Sequence, residues 1–176
     1  MEEYNAKILE ILPGTINEGD AEHIIDAYVK FKINNIQFWA FVYSWTKYFP
    51  YLKASDYLHK LINKKTRIKL KFLNLKNQKI EKKEKKLIPV ENQKKPCDYE
   101  LLGQITKKWE HPDPAYKNYE EIVLDFGILI TTKIHKKDGF KVGEYTKMNG
   151  RLDAFFLEDP TKLLDLEDKK EWTHST

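Results

Sequence analysis

The sequence predicts an all-β chain, mainly antiparallel, with one or two short helices. Three stretches carry that reading. In His23 to Lys47, HIIDAYVKFKINNIQFWAFVYSWTK, two alternating runs flank Asn34-Asn35. Side chains alternate across a strand, and an asparagine pair tolerates the positive φ of a tight type I′ turn. Thr66 to Leu75, TRIKLKFLNL, puts Ile68, Leu70 and Phe72 on one side and Arg67, Lys69 and Lys71 on the other, the period of a half-buried strand. Glu120 to Phe126 and Ile128 to His135 are two further strand-like runs around Gly127.

A two-residue turn at Asn34-Asn35 sets the pairing of the first hairpin. Ile33 faces Ile36, Phe31 faces Phe38, Val29 faces Ala40 and Ala27 faces Val42. That face is aliphatic and small, as a core requires. The opposite face carries Asp26, Tyr28, Lys30, Lys32, Trp39, Phe41, Tyr43 and Trp45. It is half aromatic and partly basic, which is unusual for a surface that meets only water.

The remaining elements follow in order. Tyr4 to Leu12 is an apolar strand ended by Pro13-Gly14, a turn signal, and Thr15 to Glu22 is an acidic loop. Pro50 stops pairing after the hairpin. Ser55 to Ile62 reads as a short helix, with Ser55 as cap and Leu58, Leu61 and Ile62 on one face. Lys76 to Lys86 is a polar tip, Leu87 to Val90 a fifth strand, and Glu91 to Pro96 a linker. Tyr99 to Trp109 is a strand with a bulge or bend at Gly103. Glu110 to Asn118 is a loop and Lys136 to Gly139 a turn. Val142 to Met148 and Arg151 to Glu158 form a strand pair, or one strand bent at Gly150. Pro160 onward starts a short C-terminal helix or tail.

Composition narrows the class. A chain of 176 residues holds one large domain or two small ones. From Lys60 to Lys95, 14 Lys and Arg stand against 3 Glu, a local net of +11 in a chain whose formal net charge is +4. Such a block attracts a polyanion, or is simply a solvated surface. The single Cys97 excludes an internal disulfide and a cysteine-rich metal site, and fits a reducing, cytoplasmic compartment. The acidic start MEEYNAK has no apolar signal core, and the apolar run Ile36 to Trp45 is half of what a membrane helix needs.

The two halves read as weak copies. Leu52-Lys53-Ala54-Ser55-Asp56-Tyr57 matches Phe140-Lys141-Val142-Gly143-Glu144-Tyr145 class for class, and Arg67-Ile68 matches Arg151-Leu152. This match competes with the helix at Ser55. Each copy runs strand, loop, two close strands, motif, strand. The motif KVGEYTKMNGRLDAF, Lys141 to Phe155, with Lys53 to Phe72 as its weaker counterpart, resembles the OB fold, a small five-stranded barrel. The resemblance implies tandem OB-like barrels over residues 1–92 and 97–159, with 160–176 as helix or tail. It also implies oligonucleotide binding on the outer face of strands two and three. Residue by residue, Tyr28, Lys30, Lys32, Trp39, Phe41 and Tyr43 fall there in the first copy. Trp109, His111, Tyr116 and Tyr119 come from the first loop of the second copy. The acidic first loop of the first copy departs from that pattern.

Two functional readings follow. In one, a non-enzymatic protein binds single-stranded nucleic acid: bases stack on Tyr28, Trp39, Phe41 and Tyr43 while Lys30, Lys32, Arg67, Lys69 and Lys71 neutralise phosphates. In the other, the aromatic face is a domain or subunit interface of a protein-interaction module, with a homodimer as one form. No membrane partner, cofactor or metal is expected. The five histidines are scattered, no HExxH or paired-cysteine spacing occurs, and Gly143 and Gly150 are isolated turn glycines rather than a phosphate loop. Asp125 and Asp153 lack the partner motif of an acid–base pair.

Overall fold

The protein is described by a computed structural model covering residues 2–18, 21–43, 54–91 and 96–164; of 15–18, 21–25 and 54–57 it gives the backbone alone. The chain is mostly β. Its strands are β1 (Glu3–Glu18), β2 (Ala21–Ile33), β3 (Ile36–Tyr43), β4 (Lys65–Ile80), β5 (Lys86–Pro89), β6 (Asp98–Glu110), β7 (Tyr119–Asp125), β8 (Leu129–His135) and β9 (Tyr145–Phe156). Helical structure among the described residues is short and of 3-10 type, at Ala54–Leu61, Pro114–Tyr116, Lys136–Asp138 and Pro160–Leu163. The expected Pro50 stop, Trp45, residues 92–95 of the linker and any helix beyond Leu164 lie outside the described residues.

The nine strands of the described residues belong to one hydrogen-bonded sheet, ordered β1-β2-β3-β9-β4-β8-β7-β6-β5, with additional pairings β1–β4 and β9–β6. Those two pairings close two rings that share the β4–β9 edge. The chain divides into two compact units, one of Glu3–Lys69 and Ala154–Thr176, the other of Met1–Glu2 and Leu70–Asp153. The change from one to the other falls inside β4 and inside β9, whereas composition alone places a boundary in the Pro-containing stretch Glu91–Pro96.

In the unit of Glu3–Lys69 and Ala154–Thr176, the hairpin has the expected register, from Ile33↔Ile36 to Asp26↔Tyr43. Ala27, Val29, Phe31, Ile33, Phe38, Ala40 and Val42 are buried, with Ile8, Ile68 and Phe156 beside them. Phe31 meets Phe38 at 6.0 Å and the edge of Phe156 at 6.2 Å between ring centroids. Each such side chain contributes about 1.5–3 kcal/mol through burial. The turn itself differs from expectation. Asn34 has φ 52° but Asn35 is not among the positive-φ residues; positive φ at the first position alone is the requirement of a type II′ turn, not type I′.

Pro13-Gly14 is not a turn. β1 runs through both, Pro13 opposite Ala27 and Gly14 opposite Asp26, with register shifts at Ile8/Glu10 and Gly14/Thr15. Among the described residues β1 pairs with β4 only from Glu3 to Lys7, and an edge setting of that kind beyond Lys7 tolerates a proline. The reversal comes later, with Glu18 paired to Ala21. The helix expected at Ser55 is the 3-10 segment Ala54–Leu61. It buries Leu58 and Leu61 and ends at Asn63, φ 68°, whose N–H donates to Ile8 O at 2.7 Å. The residues that match Val142–Tyr145 class for class therefore adopt a different backbone.

In the unit of Leu70–Asp153, β6–β7, β7–β8 and β6–β9 are antiparallel and β4–β8 is parallel. β7 and β8 pair around Gly127 from Asp125↔Leu129 to Tyr119↔His135. Gly103 is not the bulge. The register shift lies between Ile105 and Lys107, where Gly143 N–H donates to Ile105 O at 2.7 Å and Ile105 N–H to Glu144 O at 2.9 Å. Gly103 is small because a Cβ there would meet the Asp125 carbonyl. β9 is one continuous strand across Gly150, the second of the two alternatives, and a Cβ at Gly150 would overlap the Leu73 carbonyl of β4.

That overlap is with backbone, which cannot rotate away. Gly150→Ala is expected to destabilise the protein by about 3 kcal/mol, the upper end of overpacking costs, measured as a fall in the urea midpoint at constant slope. Gly139→Ala meets no atom within 4 Å, so its smaller loss reports backbone strain at φ 64° alone.

Candidate nucleic-acid interface

The outer face of β2–β3 is set by the alternation that buries its inner face. Tyr28 stands opposite Phe41, Lys30 opposite Trp39 and Lys32 opposite Gln37. Tyr28, Lys30, Lys32, Trp39 and Phe41 are half-buried, and Tyr43 is 44% exposed. The rings form a row: Tyr28 to Phe41 at 5.5 Å, Phe41 to Tyr43 at 6.0 Å, and Tyr43 edge-on to Phe155 of β9 at 5.0 Å. Phe155 escaped the sequence reading because its neighbour comes from a distant strand. Lys30 Nζ lies 3.9 Å from Glu10, and Arg67 Nε lies 3.7 Å from Glu158. Lys69 stands opposite Glu3. Lys30 and Arg67 thus already have a carboxylate at ion-pair distance, and Lys69 has one on the facing strand. Lys71 belongs to the other unit.

In that unit, the outer face of β7–β8 pairs Tyr119 with His135, Glu121 with Lys133 and Val123 with Thr131. The preceding loop folds over it. Asp113 accepts from Ala115 N–H at 2.9 Å, and His111 Nδ1 from Asp113 N–H at 3.1 Å. These bonds bring His111 against Tyr116, 4.8 Å between rings. The row continues from Tyr116 to Tyr119 at 6.0 Å and from Tyr119 to His135 at 4.9 Å. The Lys133 ammonium sits 3.9 Å from the Tyr116 ring centre and 4.7 Å from that of Tyr119, a cation–π arrangement. Trp109 is 37% exposed, and its Nε1–H donates to Glu121 at 3.4 Å.

A cavity of about 300 Å³ opens here, lined in part by Lys71, Tyr116, Glu121, Thr131, Lys133 and Asp153. The Thr131 hydroxyl is buried without a hydrogen-bond partner. Arg151 clasps Asp153 through Nε at 2.6 Å and Nη2 at 3.1 Å. Burial nevertheless holds the Asp153 carboxyl above its ordinary range, with the Arg151 hydrogen bond and charge offsetting part of that. Asp125 moves the other way: burial pushes it up, but the Lys85 hydrogen bond at 2.7 Å and the Gly127 N–H outweigh it and lower its pKa. Lys133, Thr131 and Glu121 were not singled out from sequence, and Asp153 was weighed there only as a partner for Asp125. The alternation around Gly127 was enough to pair Glu121 with Lys133, but the approach of β4 and β9 was not legible.

Burial, followed by the charge of Asp98, pushes the Cys97 thiol up to about 11, so it is no nucleophile at neutral pH. Among the described residues no group of three or more His, Cys, Asp or Glu is placed to hold a metal ion, and no helix is long and apolar enough to cross a membrane. Comparison with protein families, curated proteins and solved structures finds no match for this chain.

Carboxylate NMR titration is expected to place the Asp153 midpoint above the ordinary 3.8 and that of Asp125 below 3.8. In the window above 3.8 the folded state holds the Asp153 proton that the unfolded chain has lost, so this group's contribution to stability falls as pH rises through it. The Asp125 contribution is present above 3.8 and lost as pH falls through its depressed midpoint. Lys85→Met should return Asp125 towards 3.8; an unmoved midpoint refutes the assignment.

Proposed function

We propose that this protein binds single-stranded nucleic acid on the outer sheet faces of its two units, each an OB-type barrel whose closing strand comes from the far end of β4 or β9. One observation carries the functional reading: each unit holds a row of four rings with lysine beside it, on β2, β3 and β9 in one, and on β7, β8 and the loop before β7 in the other. The rows are Tyr28, Phe41, Tyr43 and Phe155 in one unit and His111, Tyr116, Tyr119 and His135 in the other. Bases stack on such rows whatever their sequence, at roughly 1–3 kcal/mol per base, while cations follow the backbone. The ring order, with β1 returning to β4 and β6 to β9 and a parallel β4–β8 pair, supports the barrel assignment. In that fold the face of the second and third strands is the oligonucleotide site.

The binding residues in this reading are Tyr28, Lys30, Lys32, Trp39, Phe41, Tyr43, Arg67 and Lys69 in one unit. The other unit adds Lys71, Tyr116, Tyr119 and Lys133. No step of chemistry is assigned. A protein-docking reading takes the exposed aliphatics of β4, Leu73 at 45% and Leu75 at 76%, as its contact.

Tryptophan fluorescence on titration with a mixed-sequence single-stranded oligonucleotide separates the two. Binding at low salt should weaken steeply as salt rises, and Trp39→Ala and Tyr116→Ala should each cost about 1–3 kcal/mol of affinity with unchanged far-UV spectra. Undetectable binding at low salt, together with a dimer in sedimentation that Leu75→Asp dissociates, refutes nucleic-acid binding and supports docking.

A further inference from the structure

The outer surface of the unit of Glu3–Lys69 and Ala154–Thr176 holds one row of charges that differs from its neighbours. Lys7 of β1 stands opposite Lys32 of β2 on one side and opposite Lys65 of β4 on the other. Three lysines therefore lie side by side across three adjacent strands. The flanking rows each hold a carboxylate. Lys30 has Glu10 at 3.9 Å, Arg67 has Glu158 at 3.7 Å, and Lys69 faces Glu3. Lys7, Lys32 and Lys65 have no ion pair among the described residues. Like charges directly opposite across strands are destabilising, so this row repels itself when nothing occupies it.

The three side chains line, with Asn5, Ala6 and Asn34, a hollow of about 360 Å³. The two carboxamides add neutral N–H donors. Ammonium groups converging on a hollow without a carboxylate are the chemistry that receives a phosphate oxyanion. We propose that the row Lys32–Lys7–Lys65 is a phosphate-binding site that takes the backbone phosphates of the single strand assigned above. It rests on that reading for the source of the phosphate alone. Lys32 belongs at once to this row and to the face on which Trp39 and Phe41 lie, so the site extends the ring row with a track for the backbone. Lys7 had no place in the expectations drawn from sequence, because it needs the pairing of β1 with two strands at once.

Three measurements on the full chain and on Lys7→Gln test this. At low ionic strength without phosphate, Lys7→Gln should melt higher than the parent, since the self-repulsion is relieved; an equal or lower melting temperature overturns the proposal. Inorganic tripolyphosphate should bind the parent and bind Lys7→Gln at least tenfold more weakly, and equal affinities overturn it. The slope of log affinity for the oligonucleotide against log salt should shrink by about 0.7, the single-strand increment for one phosphate contact. Lys7→Gln keeping the parent's slope overturns the site while leaving nucleic-acid binding intact. Loss of tripolyphosphate binding in Lys7→Gln, with no oligonucleotide binding by either protein, supports the site with free phosphates as its source and refutes the nucleic-acid reading.

Discussion

The antiparallel contact of β4 with β9 is the constraint on which the other strands depend. It is an edge of both rings. At one end Leu157 N–H donates to Arg67 O at 3.0 Å; at the other the Thr146 hydroxyl donates to Gln78 O at 2.9 Å. Between them the backbones come so close that Gly150 has no room for a Cβ beside the Leu73 carbonyl. Both strands are long for that reason, 16 residues in β4 and 12 in β9. Each takes part in two cores, Ile68 and Phe156 in one and Phe72 and Leu152 in the other.

Local pattern was legible where two strands meet through a short turn. Asn34-Asn35 fixed every pair from Ile33↔Ile36 to Asp26↔Tyr43, because the aliphatic and aromatic sets cannot exchange faces without exposing Phe31 and Phe38. The alternation of Ile68, Leu70 and Phe72 against Arg67, Lys69 and Lys71 held for the same reason. Pro13-Gly14 misled, since a turn dipeptide is also at home on a strand edge, and nothing local says which. Gly103 and Gly150 were recognised as special positions, but the cause of each is a carbonyl on another strand, Asp125 in one case and Leu73 in the other.

The candidate faces were legible only in part, and for a related reason. Residues on a hairpin declare their shared surface through spacing, as Tyr28, Lys30, Trp39 and Phe41 do. What completes each surface comes from strands far away in the chain. Phe155 reaches Tyr43 from β9, and Lys71 lines a cavity with Lys133 across a separation of 62 positions. The charge count in Lys60 to Lys95 pointed to an anion, but it could not tell Lys69, which faces Glu3, from Lys65, which faces Lys7.

The shared β4–β9 edge also bears on how the molecule is made. The ring built from β1, β2 and β3 closes only with β9, whose last residue is Phe156. At a translation rate of about 5–20 residues per second, the interval between the emergence of Tyr43 and of Phe156 is on the order of ten seconds. Throughout it a nascent chain carries β3 with one row of amides and carbonyls unmatched, the condition under which holdase chaperones on the ribosome find their clients.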